Sequence, residues 1–108
     1  MSAKPGSLEI SSVLVDGAVR VALQGELDLA SARQMEEHFA SLDEQSPSRV
    51  VVDLAGLEFI DSSGLRVLLL ADARARERGY ELVLLAGQEP VRRVFEMTGA
   101  LDVLRFES

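Results

Sequence analysis

The segment of this sequence best equipped for chemistry at a hydroxyl is Asp61-Ser62-Ser63-Gly64. It follows a β-branched run, Val50-Val51-Val52-Asp53-Leu54, and precedes a long helical pattern, so it falls beyond the carboxyl end of a strand, where α/β folds expose ligands and modifiable groups. Ser62 is therefore predicted to be accessible. A helix start presents unpaired N–H groups and the positive end of the dipole, which stabilise a phosphate there by roughly 0.3–1 kcal/mol. The fold should survive such a modification. An added charge of about −1.5 to −2 beside Asp61, Glu58 and Asp28 would repel an acidic partner and resist desolvation in a flush interface. A plainer use exists for the same residues, because Asp and Ser are favoured helix caps. Capping and switching are compatible.

Other chemistries find less support. A serine hydrolase needs a base and an orienting acid, but the one histidine, His38, sits beside Glu37 in a helical pattern, and no G-x-S-x-G elbow surrounds Ser62. A phosphate loop of the G-x-x-x-x-G-K-[ST] kind is absent, and Lys4 is the only lysine. Asp53 with Asp61 or Glu58 offers oxygen ligands suited to Mg²⁺, although strand-end solvation and capping account for them more simply. The same Asp53 suggests a rival, a receiver-type module that accepts a phosphoryl group at the end of a central strand. The opening hairpin and the lack of a lysine after Lys4 count against it. With no cysteine there is no disulfide framework, thiolate nucleophile or Cys-based zinc site. No catalytic residue, metal or cofactor is expected, so the chain is expected not to be an enzyme. A constitutive scaffold, binding without phosphorylation, stays open.

At 108 residues, 47% hydrophobic and 27% charged, the sequence has the size and composition of one globular domain. Residues 8–107 are read as that domain and residues 1–7 as a flexible N-terminal segment. A net charge of −7 would repel a phosphate backbone, so no nucleic-acid partner is expected. The arginines at 74, 76 and 78 are interleaved with acids and read as the solvated end of a helix. No apolar run approaches the roughly 20 residues of a membrane span, and no signal-peptide core precedes the domain. The expectation is a cytoplasmic protein without a membrane partner.

The elements that must position Ser62 follow from periodicity and turn chemistry. Residues 8–15 and 19–24 read as strands joined by Asp16-Gly17 in a tight antiparallel hairpin. A helix should start near Ser31, with Ser31 and Gln34 forming a capping box and Ala32, Met35, Phe39 and Leu42 facing inward. After Ser46-Pro47-Ser48, residues 49–54 are β-branched on both faces, as in a central strand covered on both sides. A loop carrying Gly56, Leu57, Phe59 and Ile60 leads to a helix over 63–78 that Gly79 stops. The last two apolar residues of that loop read either as core or as a docking patch. A strand over 81–86, a short helix opened by Pro90 and ended by Gly99, and a strand over 103–106 complete an α/β fold: a mixed sheet with helical crossovers.

Val50-Val51-Val52-Asp53-Leu54 followed by Phe59-Ile60-Asp61-Ser62-Ser63-Gly64-Leu65 resembles the STAS domain of bacterial anti-sigma factor antagonists. Gly25-Glu26-Leu27-Asp28 and Phe95-Glu96-Met97-Thr98-Gly99 resemble further landmarks of that family, and the likeness covers about residues 8–107. The resemblance implies a STAS-like single domain and a partner-switching cycle that controls sigma-factor-dependent transcription. The unphosphorylated antagonist binds an anti-sigma factor that is itself a serine kinase, and phosphorylation releases it. A metal-dependent serine/threonine phosphatase then resets the cycle. The implied acceptor is the serine directly after the aspartate, Ser62, with Asp28, Asp61, Ser63 and Gly64 sharing the docking surface. Family members often continue into a further helix, whereas this sequence stops at Ser108, so the far edge is expected to be less covered.

Overall fold

Asp16-Gly17 turns the chain back on itself, both residues taking positive φ (52° and 83°) as a two-residue primed turn requires. Strands β1 (Leu8–Val15) and β2 (Ala18–Leu27) pair antiparallel from Val15↔Ala18 to Leu8↔Gly25. The computed structural model describes residues 7–107. Of the segment read as flexible, residues 1–6 lie outside the described residues, while the Ser7 carbonyl accepts the Glu26 N–H at 3.0 Å.

Helix α1 (Ala32–Ser41) leads through a 3₁₀ turn, Leu42–Gln45, to β3 (Arg49–Ile60). Then come α2 (Ser62–Arg78), β4 (Glu81–Leu85), α3 (Glu89–Thr98) and β5 (Phe106–Glu107). The sheet order is β1-β2-β3-β4-β5, antiparallel at the hairpin and parallel thereafter, with β3 at the centre. Three successive right-handed crossovers in one direction put every helix on the same face. Met35, Phe39, Leu65, Leu68, Val91 and Phe95 accordingly join Val19, Val21, Val50, Val52, Leu82 and Leu84 in one contiguous core.

The reading of β3 as covered on both sides holds, but helices supply the cover on one side only. Its second face, with Arg49, Val51 and Asp53, is roofed by ion pairs: Arg20 with Asp53 at 2.9 Å, Arg49 with Glu81 at 2.9 Å and with Glu107, and Arg105 with Glu81 at 2.8 Å. Val83, opposite Val51, is fully buried on this face. Long arginine stems supply the apolar cover that a helix would otherwise give.

Two boundaries also differ from expectation. The supposed loop around Gly56 is strand, and β3 carries extra residues relative to β2, absorbed by register shifts between Ala22 and Gln24 and between Gly25 and Glu26. The last strand is only Phe106–Glu107, because Ala100–Asp102 forms a 3₁₀ turn and Leu104 is drawn into the core. The arginines of α2 lie at its solvated end, as read, and are paired there: Arg74 and Arg78 both reach Asp43, and Arg76 reaches Asp72 at 3.1 Å and the Val103 carbonyl at 3.0 Å.

Candidate functional site

Ser62 is the first residue of α2 and is exposed. It owes that place to Asp61, whose extended backbone ends the β3 ladder by donating its N–H to the Leu27 carbonyl at 3.2 Å. The Asp61 side chain serves two donors: Oδ1 accepts the Gly64 N–H at 3.0 Å and Oδ2 accepts the Leu29 N–H at 3.2 Å. One carboxylate thus caps α2 and holds the β2–α1 connection against the helix start. Because Asp61 supplies the cap, the Ser62 hydroxyl is not committed to it.

Gly64, expected on the docking surface, is instead buried beneath it. A Cβ there would lie 2.7 Å from Leu27 Cγ and 3.0 Å from Ile60 Cγ1, and would press on the Leu27 carbonyl. Only glycine lets the first turn of α2 sit this close to the ends of β2 and β3. Its close packing seats Ser62.

Asp28, half-buried, organises the neighbouring loop. Its Oδ1 accepts the Ser31 N–H at 3.1 Å, while Ser31 Oγ accepts the Asp28 N–H at 3.0 Å and donates to the Glu26 carbonyl at 2.8 Å. The expected Ser31–Gln34 capping box does not form. Ser31 already has helical dihedrals and is buried, and Gln34 Nε2 reaches the Leu8 carbonyl at 3.0 Å. The N–H of Ala32 bonds back to the Asp28 carbonyl at 2.8 Å, so the capping function has moved three residues upstream.

Asp28, Asp61, Ser62 and Ser63 therefore come together at the carboxyl ends of two adjacent strands, with Ser63 half-buried and Glu58 exposed nearby. Strand alternation separates the pair left open between core and patch: Ile60 is buried, whereas Phe59 is 48% exposed. Leu29, which sequence reasoning passed over, is 77% exposed and is held in place by its N–H bond to Asp61. Its signal in the sequence was a large apolar side chain in the turn Asp28-Leu29-Ala30-Ser31. Arg66, one helical turn after Ser62, is also exposed. The surface is thus an exposed hydroxyl on a helix N-terminus beside acids and the exposed Leu29, with Phe59 exposed near the end of β3.

Asp53 does not stand at a strand end. It lies mid-way along β3, accepting the Ala55 N–H at 2.9 Å and pairing with Arg20 on the open sheet face. The Ala55 N–H, and then Arg20, hold its carboxyl below the usual range. A receiver's acceptor needs free access beyond the strand, and this carboxylate is committed within it. Among the described residues, Asp53, Glu58 and Asp61 form no cluster fit for a metal. His38, on α1, is half-buried, and its Nε2 is buried without a hydrogen-bond partner among the described residues. Burial pushes its pKa down.

The sequence model of the STAS domain matches residues 9–108. BtrV of Bordetella bronchiseptica, a proposed anti-sigma factor antagonist, is 40% identical over 89 residues, spanning 82% of this chain and 77% of that protein. Among solved structures, an anti-sigma factor antagonist from Mycobacterium paratuberculosis superposes with a TM-score of 0.86 at 26% identity, covering 98% of this chain and 89% of the other. The unphosphorylated form of the antagonist SpoIIAA shares the fold, with a TM-score of 0.75 at 20% identity over 94% of this chain and 89% of its own.

Proposed function

This chain belongs to the STAS family, and from that premise we propose that it is an anti-sigma factor antagonist switched by phosphorylation of Ser62. The unphosphorylated protein binds an anti-sigma factor that is a serine kinase and so frees a sigma factor. The kinase phosphorylates Ser62 and dissociates, and a serine/threonine phosphatase restores the binding form. Asp28, Asp61, Ser62 and Ser63 form the polar part of the docking surface. Leu29 and Phe59 are its apolar anchors.

The observation that carries this reading is the placement of Ser62: exposed, first in α2, and relieved of capping by Asp61. A phosphate on its Oγ extends from the N-terminal end of the helix, where the dipole favours it. It leaves the buried face of α2 untouched, so modification alters the surface and not the core. On that surface it introduces a strongly hydrated dianion where a flush interface requires desolvation.

The test is site-mapped phosphorylation by ATP and a candidate anti-sigma kinase, with Ser62→Ala in parallel and binding measured before and after. The expected result is one acid-stable phosphate, absent from Ser62→Ala, and loss of kinase binding by the modified protein. An acid-labile acyl phosphate on Asp53 would overturn the reading in favour of a receiver. Intact binding without any modification would make the protein a constitutive scaffold.

A further inference from the structure

Strand β1 is an outer edge of the sheet. Among the described residues β1 pairs only with β2, and the phase of its hydrogen bonds is fixed by the Glu26 N–H to Ser7 carbonyl bond. In an antiparallel ladder the bonded pairs alternate, so residues 7, 9, 11, 13 and 15 turn their backbone groups toward β2. The groups of Leu8, Ile10, Ser12 and Leu14 point away from the sheet. Gln34 takes the Leu8 carbonyl. Residues 10–14 form the remaining edge.

This edge lacks the devices by which sheets discourage edge pairing, namely lysine, proline, a bulge or an inward charge. β1 is eight residues long, pairs in unbroken register with β2, and has Glu9 as its one charged residue in a chain of net charge −7. Beside the hairpin turn, Val13, Leu14 and Val15 are 59%, 49% and 57% exposed.

We propose that this edge pairs with the β1 edge of a second copy of this chain, antiparallel about a two-fold axis at Ser12, to give one continuous ten-stranded sheet. The strand is self-complementary in that register. Ser12 meets its symmetry mate as a hydrogen-bonded pair, and Ile10 meets Leu14 of the other copy on the helix-covered face. Val13 meets Ser11 and Val15 meets Glu9 on the open face. The two Glu9 side chains end about 20 Å apart at ~3.4 Å per residue, so no like charges oppose one another in the ladder. The paired stretch lies beside residues 19–23 of β2, away from the strand ends that carry Ser62, so a dimer presents two free Ser62 surfaces. A single strand pair is at the small end of interfaces, so the association is weak, with a dissociation constant on the order of 0.1–1 mM. Each copy repels the other through its net charge. Added salt should therefore strengthen the dimer rather than dissolve it.

The chain has no cysteine, which makes crosslinking a clean test. Ser12→Cys should form a disulfide-linked dimer under mild oxidation, because hydrogen-bonded partners have Cα atoms about 5.5 Å apart. Val13→Cys should crosslink at least tenfold more slowly, its Cα atoms being about 8 Å apart in this register and beyond disulfide reach. Sedimentation of the unmodified chain should show its mass rising toward two copies between about 10 µM and 1 mM, more steeply at high salt, consistent with the weak interface class. Leu14→Lys, at an exposed position, should keep the melting temperature and abolish both effects. A monomer at all concentrations, or faster crosslinking through residue 13 than through residue 12, would overturn the proposal. Capture of an extended peptide by a chain that stays monomeric would also overturn it, in favour of a foreign strand.

Discussion

Asp61 is the residue on which the geometry of the site depends most directly, and its two side-chain bonds can be removed in steps. Asp61→Ala deletes the cap on Gly64, worth about 1 kcal/mol, and the bond to the Leu29 N–H, which is solvent-exposed and worth about 0.5 kcal/mol. The sum is about 1.5 kcal/mol, or a fall in melting temperature of roughly 5–10 °C for a domain of this size. Asp61→Ser keeps a hydroxyl oxygen able to cap the helix but cannot also reach Leu29, so it should lose only about 0.5 kcal/mol. Urea denaturation followed by circular dichroism measures both. Amide hydrogen exchange separates the two bonds: the Leu29 amide should exchange faster in both variants, and the Gly64 amide only in Asp61→Ala. Equal stabilities for the two variants, or unchanged exchange at Leu29, would refute the claim that one carboxylate ties the loop to the helix.

Two further perturbations probe the neighbouring structure. Gly64→Ala forces a methyl against Leu27 and Ile60; the overpacking cost of about 1–3 kcal/mol exceeds the ~1 kcal/mol gain in helix propensity, so urea denaturation should show a net loss of up to about 2 kcal/mol, with slower phosphorylation of Ser62. For pH, burial sets the pKa of His38 below the 6.5 of an unfolded chain, so the unfolded state binds the proton first and stability should fall as pH drops below about 6.5. Asp53 and Asp43 have lowered carboxyl pKa values, held down first by the Ala55 N–H and by a hydrogen bond from Arg74 respectively. Their stabilisation is complete above the unfolded value of 3.8 and disappears as pH falls through their folded values. Thermal melts from pH 8 to pH 3 should thus show two descending limbs, and His38→Gln should remove the upper one alone.

Much of this architecture was legible because its signals are local. Asp16-Gly17 specifies a primed turn by chemistry that few other dipeptides share, and Gly79 and Gly99 end α2 and α3 in the left-handed conformation that glycine favours. Asp61-Ser62 marked the start of α2 by composition alone. What failed depended on tertiary partners. Gly56 looks like a loop residue, yet a Cβ on it would lie 2.8 Å from the Leu23 carbonyl, so it marks a close approach between strands. Ser and Gln three apart usually form a capping box, but Asp28 begins the turn before Ser31 can serve as its cap. The open face of β3 could not be inferred from Val51 between two charged neighbours, since a strand under arginine stems and a strand under a helix have similar patterns. The exposure of Leu29 likewise depends on a carboxylate 32 residues away.

The same dependence on distant partners bears on how a phosphate at Ser62 can act without unfolding the chain. The first turn of α2 is held on three sides: by the Asp61 N–H on the Leu27 carbonyl, by the contact of Gly64 with Leu27 and Ile60, and by the Asp61 bond to Leu29. Leu65, Leu68 and Ala71 then bury the following turns in the core. A dianion on the solvent side of residue 62 opposes none of the packing contacts, and the helix dipole offsets part of its repulsion from Asp61. On the proposed reading the energy of modification is expressed at the surface, where the exposed Leu29 and Phe59 would lose water as a partner docks. A rigid helix start is thus an asset to the switch: the less the fold yields to the phosphate, the more of its charge and hydration is left to oppose binding.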